Sequence, residues 1–191
     1  MLQQTMTIRL AIAALLLAVS ARASAQEDVK ARMQAWSKAL GVECVHCHIQ
    51  DNWEDESKPA FEFAGRMSKM LDALNAGALK AVEPITCWTC HRGRSIPARI
   101  PRAAWEKIRD DHQAELANRP THAVYPASLG VDCSHCHEPD RALDTKPSKA
   151  MVATMMPIFE EIPKHFDKAR RAPVTQCYMC HQGQVKPQRA P

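Results

Sequence analysis

The chain has 191 residues, 46% hydrophobic but only 5% aromatic, and a formal net charge of +4. Aromatic side chains carry much of the burial in an ordinary core, so this composition calls for some other bulky group to fill the interior. The modest charge lacks the clustered basic face that nucleic acid requires, and no nucleic-acid partner is expected.

Residues 1–25 have the layout of a secretory signal: Arg9 in a short positive region, an apolar run over 10–19, and Ala23-Ser24-Ala25 as the small-x-small cleavage pattern. The run falls short of the ~20 apolar residues a spanning helix needs. Cleavage before Gln26 and release into a bacterial periplasm are therefore expected, with no stable membrane span in residues 26–191 and any membrane association made through a partner. No Cys follows the run to carry a lipid anchor.

Helices are expected over 27–40, 60–76 and 147–162, the last with Pro157 inside it. Between Pro101 and Leu116, the residues Trp105, Ile108, His112 and Leu116 recur at helical spacing, which predicts an amphipathic linker helix. Pro97, Pro101, Pro120 and Pro126 punctuate the chain around it. Nothing alternates at the strand period. The expected fold is mainly α, with short helices and loops wrapped around bound groups.

All eight cysteines fall into four copies of one pattern: Cys44-Val-His-Cys47-His48, Cys87-Trp-Thr-Cys90-His91, Cys133-Ser-His-Cys136-His137 and Cys177-Tyr-Met-Cys180-His181. C-x-x-C-H is the attachment signature of c-type haem. Cysteines three apart share one face of a helical turn, so both sulfurs reach the two vinyl groups of a porphyrin. The next residue then offers its imidazole to the iron from below. A disulfide framework or a pair of zinc sites would not need His directly after the second Cys in every copy. Four covalently attached haems are expected. Their propionates would offset a charge already reduced by the loss of Arg9 and Arg22.

Leu40-Gly-Val-Glu-Cys-Val-His-Cys-His48 matches Leu129-Gly-Val-Asp-Cys-Ser-His-Cys-His137, and Thr86-Cys-Trp-Thr-Cys-His-Arg-Gly93 resembles Gln176-Cys-Tyr-Met-Cys-His-Gln-Gly183. Lys58-Pro59 and Lys146-Pro147 recur between the motifs. The repeating unit is thus a two-haem module present twice, over 26–101 and 121–191, joined by the linker helix at 102–120.

Each iron needs a sixth ligand, Met or His, from elsewhere. Met33 lies eleven residues before Cys44, and His122 holds the same place before Cys133. For the second haem, Met67 and Met70 share one helix face. For the fourth, Met155 and Met156 are candidates, with Met151 and His165 as rivals. His46 and His135 sit inside the C-x-x-C loops, where a structural role is expected. His112 is expected to pack against a haem edge rather than bind iron.

Met33-Gln-Ala-Trp36, Leu40-Gly-Val-x-Cys-x-x-Cys-His48, Gly65-Arg-Met-Ser-Lys-Met70, Asn75 and Thr86-Cys-x-Thr-Cys-His-Arg-Gly93 together resemble the photosynthetic reaction-centre cytochrome c subunit family. The resemblance implies paired two-haem modules in which helices offer Met ligands ahead of the attachment motifs. It implies Met33 on the haem of His48, and Met70 rather than Met67 on the haem of His91. In the second module His122 stands where that family has Met, and the helix around Met155 and Met156 carries Pro157. The family's reaction-centre subunits are longer and often lipid-anchored.

The expected function is an electron carrier rather than an enzyme, relaying single electrons between transiently docked redox proteins. The competing expectation is a multihaem reductase, in which one iron lacks a sixth protein ligand so that substrate can bind. A stacked, conductive filament is a third. Arg92, Arg94, Arg99 and Arg102, and Lys164, Lys168, Arg170 and Arg171, are candidate docking patches or partners for haem propionates. Asp51, Glu54, Asp55 and Glu56 form a small acidic loop.

Overall fold

The computed structural model describes residues 26–140, 142–143, 145–166 and 176–191. The proposed signal segment 1–25 and the basic residues Lys168, Arg170 and Arg171 lie outside them. The chain divides into two units, Met1–Ser37 and Lys38–Pro191. Among the described residues the structure is helical with no strand, and no helix is long and apolar enough to cross a membrane.

In the first unit, residues 26–37 are helical and belong to α1, which covers 26–40; Arg32 lies over the Trp36 ring at 5.8 Å. Met33 and Trp36 are half-buried there.

The second unit carries α2 (Pro59–Ala76), α3 (Cys87–His91), α4 (Arg102–Asp111), α5 (Gln113–Asn118), α6 (Pro120–Ala123), α7 (Tyr125–Leu129), α8 (Pro147–Met155), α9 (Ile158–Glu161) and α10 (Tyr178–His181). Helices α2 and α8 start by the same device. Lys58 and Lys146 are extended, as the residue before proline must be, and the proline occupies the first helical turn, where a missing N–H costs nothing.

Two expected helices are broken. The segment 147–162 becomes α8, α9 and a 3-10 turn at Ile162–His165, because Pro157 and Pro163 each remove a backbone donor. The linker is bent at His112 (φ −131°, ψ 35°) into α4 and α5. The bend lets Ile108 and Leu116 share a cluster with Ala123 and Val124. Trp105, expected on the apolar face, is left exposed.

The core is thin. Among the described residues its second cluster holds Leu74, Leu79 and Ile162, with Met70, Met155 and Phe166 packed around it. Large apolar side chains beside the C-x-x-C-H motifs, among them Val45, Met151, Met156 and Val185, remain exposed.

Two glycine contacts recur. Gly41 (φ +63°) lies against Gly93, and Gly130 (φ +67°) against Gly183; a Cβ on Gly41 or Gly130 would stand 2.1 Å from the facing carbonyl oxygen. Beside them the Gly93 amide donates to the Ala39 carbonyl (2.8 Å), and the Gly183 amide to that of Ser128 (2.9 Å). The turn that leads into the first motif is thereby held against the end of the second, and the turn that leads into the third against the end of the fourth.

Candidate haem-attachment sites

The first and third motifs fold as 3-10 turns, Cys44–His46 and Cys133–His135. In each, the first cysteine is exposed and the second half-buried. The Lys58 ammonium donates to the Val45 carbonyl, and the Lys146 ammonium to that of Ser134. The recurring Lys-Pro pairs therefore brace both loops, a role that repetition alone did not reveal. The third loop is further held by Asp132, which accepts from the Ser134 amide at 2.9 Å.

The second and fourth motifs form α3 and α10. Thr86 caps α3 reciprocally with Thr89. Asn75, at the end of α2, donates to and accepts from Ile85, both bonds 2.9 Å, and so fixes the approach to Cys87. Both helices end on left-handed residues, Arg92 (φ 47°) and Gln182 (φ 48°).

Three motif histidines are oriented alike. Nδ1–H of His48 donates to the Trp53 carbonyl (3.1 Å), that of His91 to Arg94 (2.8 Å) and that of His181 to Gln184 (3.0 Å). A carbonyl can only accept, so the ring proton sits on Nδ1 and the lone pair on Nε2 is left for a metal. Burial holds the His91 and His181 imidazoles below their ordinary pKa, which favours the neutral, ligating form. Burial likewise pushes the Cys87 and Cys177 thiols up. Two cysteines on one turn, followed by a neutral imidazole with a free Nε2, fit a covalently attached haem.

The candidate sixth ligands fall unevenly. Met33 lies in the first unit. Met70 and Met155 pack against the same Leu74–Leu79–Ile162 cluster, while Met67 is half-buried one turn earlier on α2. Met151, Met155 and Met156 line a cavity of about 100 Å³ together with Cys177 and His181. The Met156 sulfur accepts from the Tyr125 hydroxyl at 3.3 Å. His165 does not line that cavity; its Nε2 is 3.0 Å from Glu161 Oε1. His46 is exposed, and His112 and His135 line an open groove of about 710 Å³ beside Ile108.

His122 and His137 are brought together. Their ring centroids are 5.9 Å apart with planes inclined at 60°. Two imidazoles bound to one metal, each through a bond of about 2 Å, place their centroids about 6 Å apart. Pro120 and Pro126 fall in the first turns of α6 and α7, so they tolerate the backbone that presents His122. Glu115 Oε1 stands 2.6 Å from His122 Nδ1, a contact with no warning in the motif spacing.

Helix α3 packs on α10, so the second and fourth motifs meet. Arg92 donates to the Cys180 carbonyl at 2.6 Å. Cys90 and Cys180 are joined as a disulfide with Cα atoms 4.3 Å apart, where the sequence expects each sulfur on a porphyrin. One sulfur cannot hold both bonds. Of the basic residues, Arg102 pairs with Glu106 and Lys164 with Glu161, each at 2.8 Å.

Residues 23–134 match the family model described as photosynthetic reaction centre cytochrome C subunit. The photosynthetic reaction center cytochrome c subunit of Thermochromatium tepidum is 34% identical over 56 residues, which is 28% of this chain and 14% of that protein. The matched segment is thus a small part of that relative's length.

Proposed function

This chain belongs to the photosynthetic reaction-centre cytochrome c subunit family, and on that basis we propose that it is an exported electron carrier holding four c-type haems. The observation that carries the reading is the meeting of the second and fourth motifs. With the Cα atoms of Cys90 and Cys180 only 4.3 Å apart, groups bonded to those two turns lie side by side. The first and third motifs then flank this central pair, joined to it through the Gly41–Gly93 and Gly130–Gly183 contacts. The order along the relay is one, two, four, three, and the two-haem modules are 26–101 and 121–191.

The haem irons supply one-electron chemistry by cycling between ferric and ferrous. The chain's own residues bind and tune. Cys44 with Cys47, Cys87 with Cys90, Cys133 with Cys136, and Cys177 with Cys180 would form the thioethers, each thiol adding across a vinyl group, so Cys90 and Cys180 would take part as two separate thiols and not as the bonded pair. His48, His91, His137 and His181 would each bind an iron through Nε2, and the carbonyls of Trp53, Arg94 and Gln184 keep three of those rings from turning. Met33, Met70, His122 and Met155 would supply the second protein ligand to each iron. The exposed apolar side chains beside the motifs are covered by the porphyrins. Redox proteins load and empty the outer haems by transient docking in the periplasm.

The purified holoprotein tests this in two measurements. Haem quantified after alkaline pyridine treatment is expected at four per chain. Carbon monoxide added to the fully reduced protein is expected to leave the haem absorption bands in place, because every iron has two protein ligands. A rapid shift equivalent to one haem would expose an open iron and replace the relay by a substrate-binding centre.

A further inference from the structure

We propose that Glu115 is a positioning residue for the third haem: its carboxylate holds Nδ1–H of His122, turns Nε2 towards the iron and lowers that haem's potential. The proposal rests on the reading of His122 as the sixth ligand opposite His137. Glu115 comes from α5 and His122 from α6, helices that pack closely on each other, so the pairing spans the break at Pro120 rather than a single helix. Oε1 and Nδ1 are 2.6 Å apart, and both atoms are sealed from solvent. Neither has an aligned hydrogen-bond partner. Buried polar atoms in that position seek one, and a small rotation of the ring satisfies both at once.

The arrangement differs from that of the motif histidines. His48, His91 and His181 donate to neutral backbone carbonyls, whereas His122 faces a full negative charge. A carboxylate accepting from the distal N–H makes the imidazole a stronger donor to the metal and favours the ferric state. Arg119, 3.0 Å from the same oxygen, is the simpler partner. An i,i+4 pair with its arginine largely in solvent, however, contributes little and needs no histidine. The edge of Tyr125, with its ring centroid 5.5 Å from that of His122, limits the ring from the other side.

The test is spectroelectrochemical titration of the four haems in the holoprotein, with near-infrared magnetic circular dichroism to separate His/His from His/Met coordination. In Glu115→Gln one potential of the four is expected to rise. At a fixed applied potential the reduced-to-oxidised ratio of that haem should rise about tenfold, or about 59 mV for one electron, with the other three unchanged and the His/His band retained. Glu115→Asp should restore most of the shift. Unchanged potentials in both Glu115→Gln and Glu115→Ala, with the His/His band present, would overturn the proposal and leave Glu115 as a surface partner of Arg119. His122→Ala separates the two levels. If it leaves the His/His band and all four potentials intact, His122 is no ligand and the underlying reading fails as well.

Discussion

At the scale of single residues, the site is built from side chains that hold backbone. Lys58 and Lys146 reach back to the loop of the motif before them, while Asn75 clamps the segment that enters the next. The Asn75 clamp has the clearest energetic consequence. Its amide makes two bonds to Ile85 at a half-buried position, and each such bond is worth about 1 kcal/mol net. Asn75→Ala is expected to destabilise the holoprotein by about 2 kcal/mol, read as a lower denaturant midpoint at unchanged slope. Asn75→Asp keeps the acceptor for the Ile85 amide but loses the donor to its carbonyl, so an intermediate loss is expected.

At the scale of elements, proline and glycine decide where helices stop and how closely turns approach. Pro59 and Pro147 open α2 and α8, while Pro157 falls between α8 and α9 and Pro163 follows α9. The glycine pairs act between elements. Gly130 has a left-handed backbone and no room for a Cβ, since the Gly183 oxygen occupies that place. Gly130→Ala incurs a conformational penalty of about 1–2 kcal/mol in addition to the overlap. A loss of at least about 2 kcal/mol in thermal or denaturant unfolding is therefore expected. Gly183→Ala meets nothing within 4 Å, so only the backbone penalty should appear. A difference between the two variants isolates the close approach from the glycine conformation.

At the scale of the whole molecule, the second and fourth motifs are the meeting point of the two halves. Arg92 spans it through the Cys180 carbonyl, whereas Gln182, at the matching place ninety residues on, turns back to Met179 in its own motif. A charge-assisted bond of this kind is worth about 1.5–3 kcal/mol, at the low end where solvent reaches the guanidinium. Arg92→Gln is expected to lower stability by about 1–2 kcal/mol. With haems on α3 and α10 as proposed, it should also weaken the coupling between those two groups, seen as a smaller bisignate signal in Soret circular dichroism. An unchanged signal would mean that α3 and α10 hold their spacing without this bond.

The four C-x-x-C-H motifs are legible from spacing alone, because the pattern is local: two sulfurs and an imidazole on one turn. Helices α1 and α2 are equally legible, since an uninterrupted apolar period and a proline at the first turn are properties of the local chain. The same locality explains where the reading stops. The linker bends at His112 because Ile108 and Leu116 both reach Ala123 and Val124, a requirement set by packing and absent from the helical period of 101–116. Trp105 shows the converse, apolar in the pattern yet exposed once that cluster forms. Pairings across long separations, such as Arg92 with Cys180 or Met70 and Met155 on one cluster, depend on how the halves dock. So does the contact of Glu115 with His122, which crosses the break at Pro120. By itself, the sequence determined the four motifs and the family, because both reside in short runs of neighbouring residues. Only the tertiary structure decided which motifs touch and which side chains stand behind the histidines, because those contacts are set by packing between segments far apart in the chain.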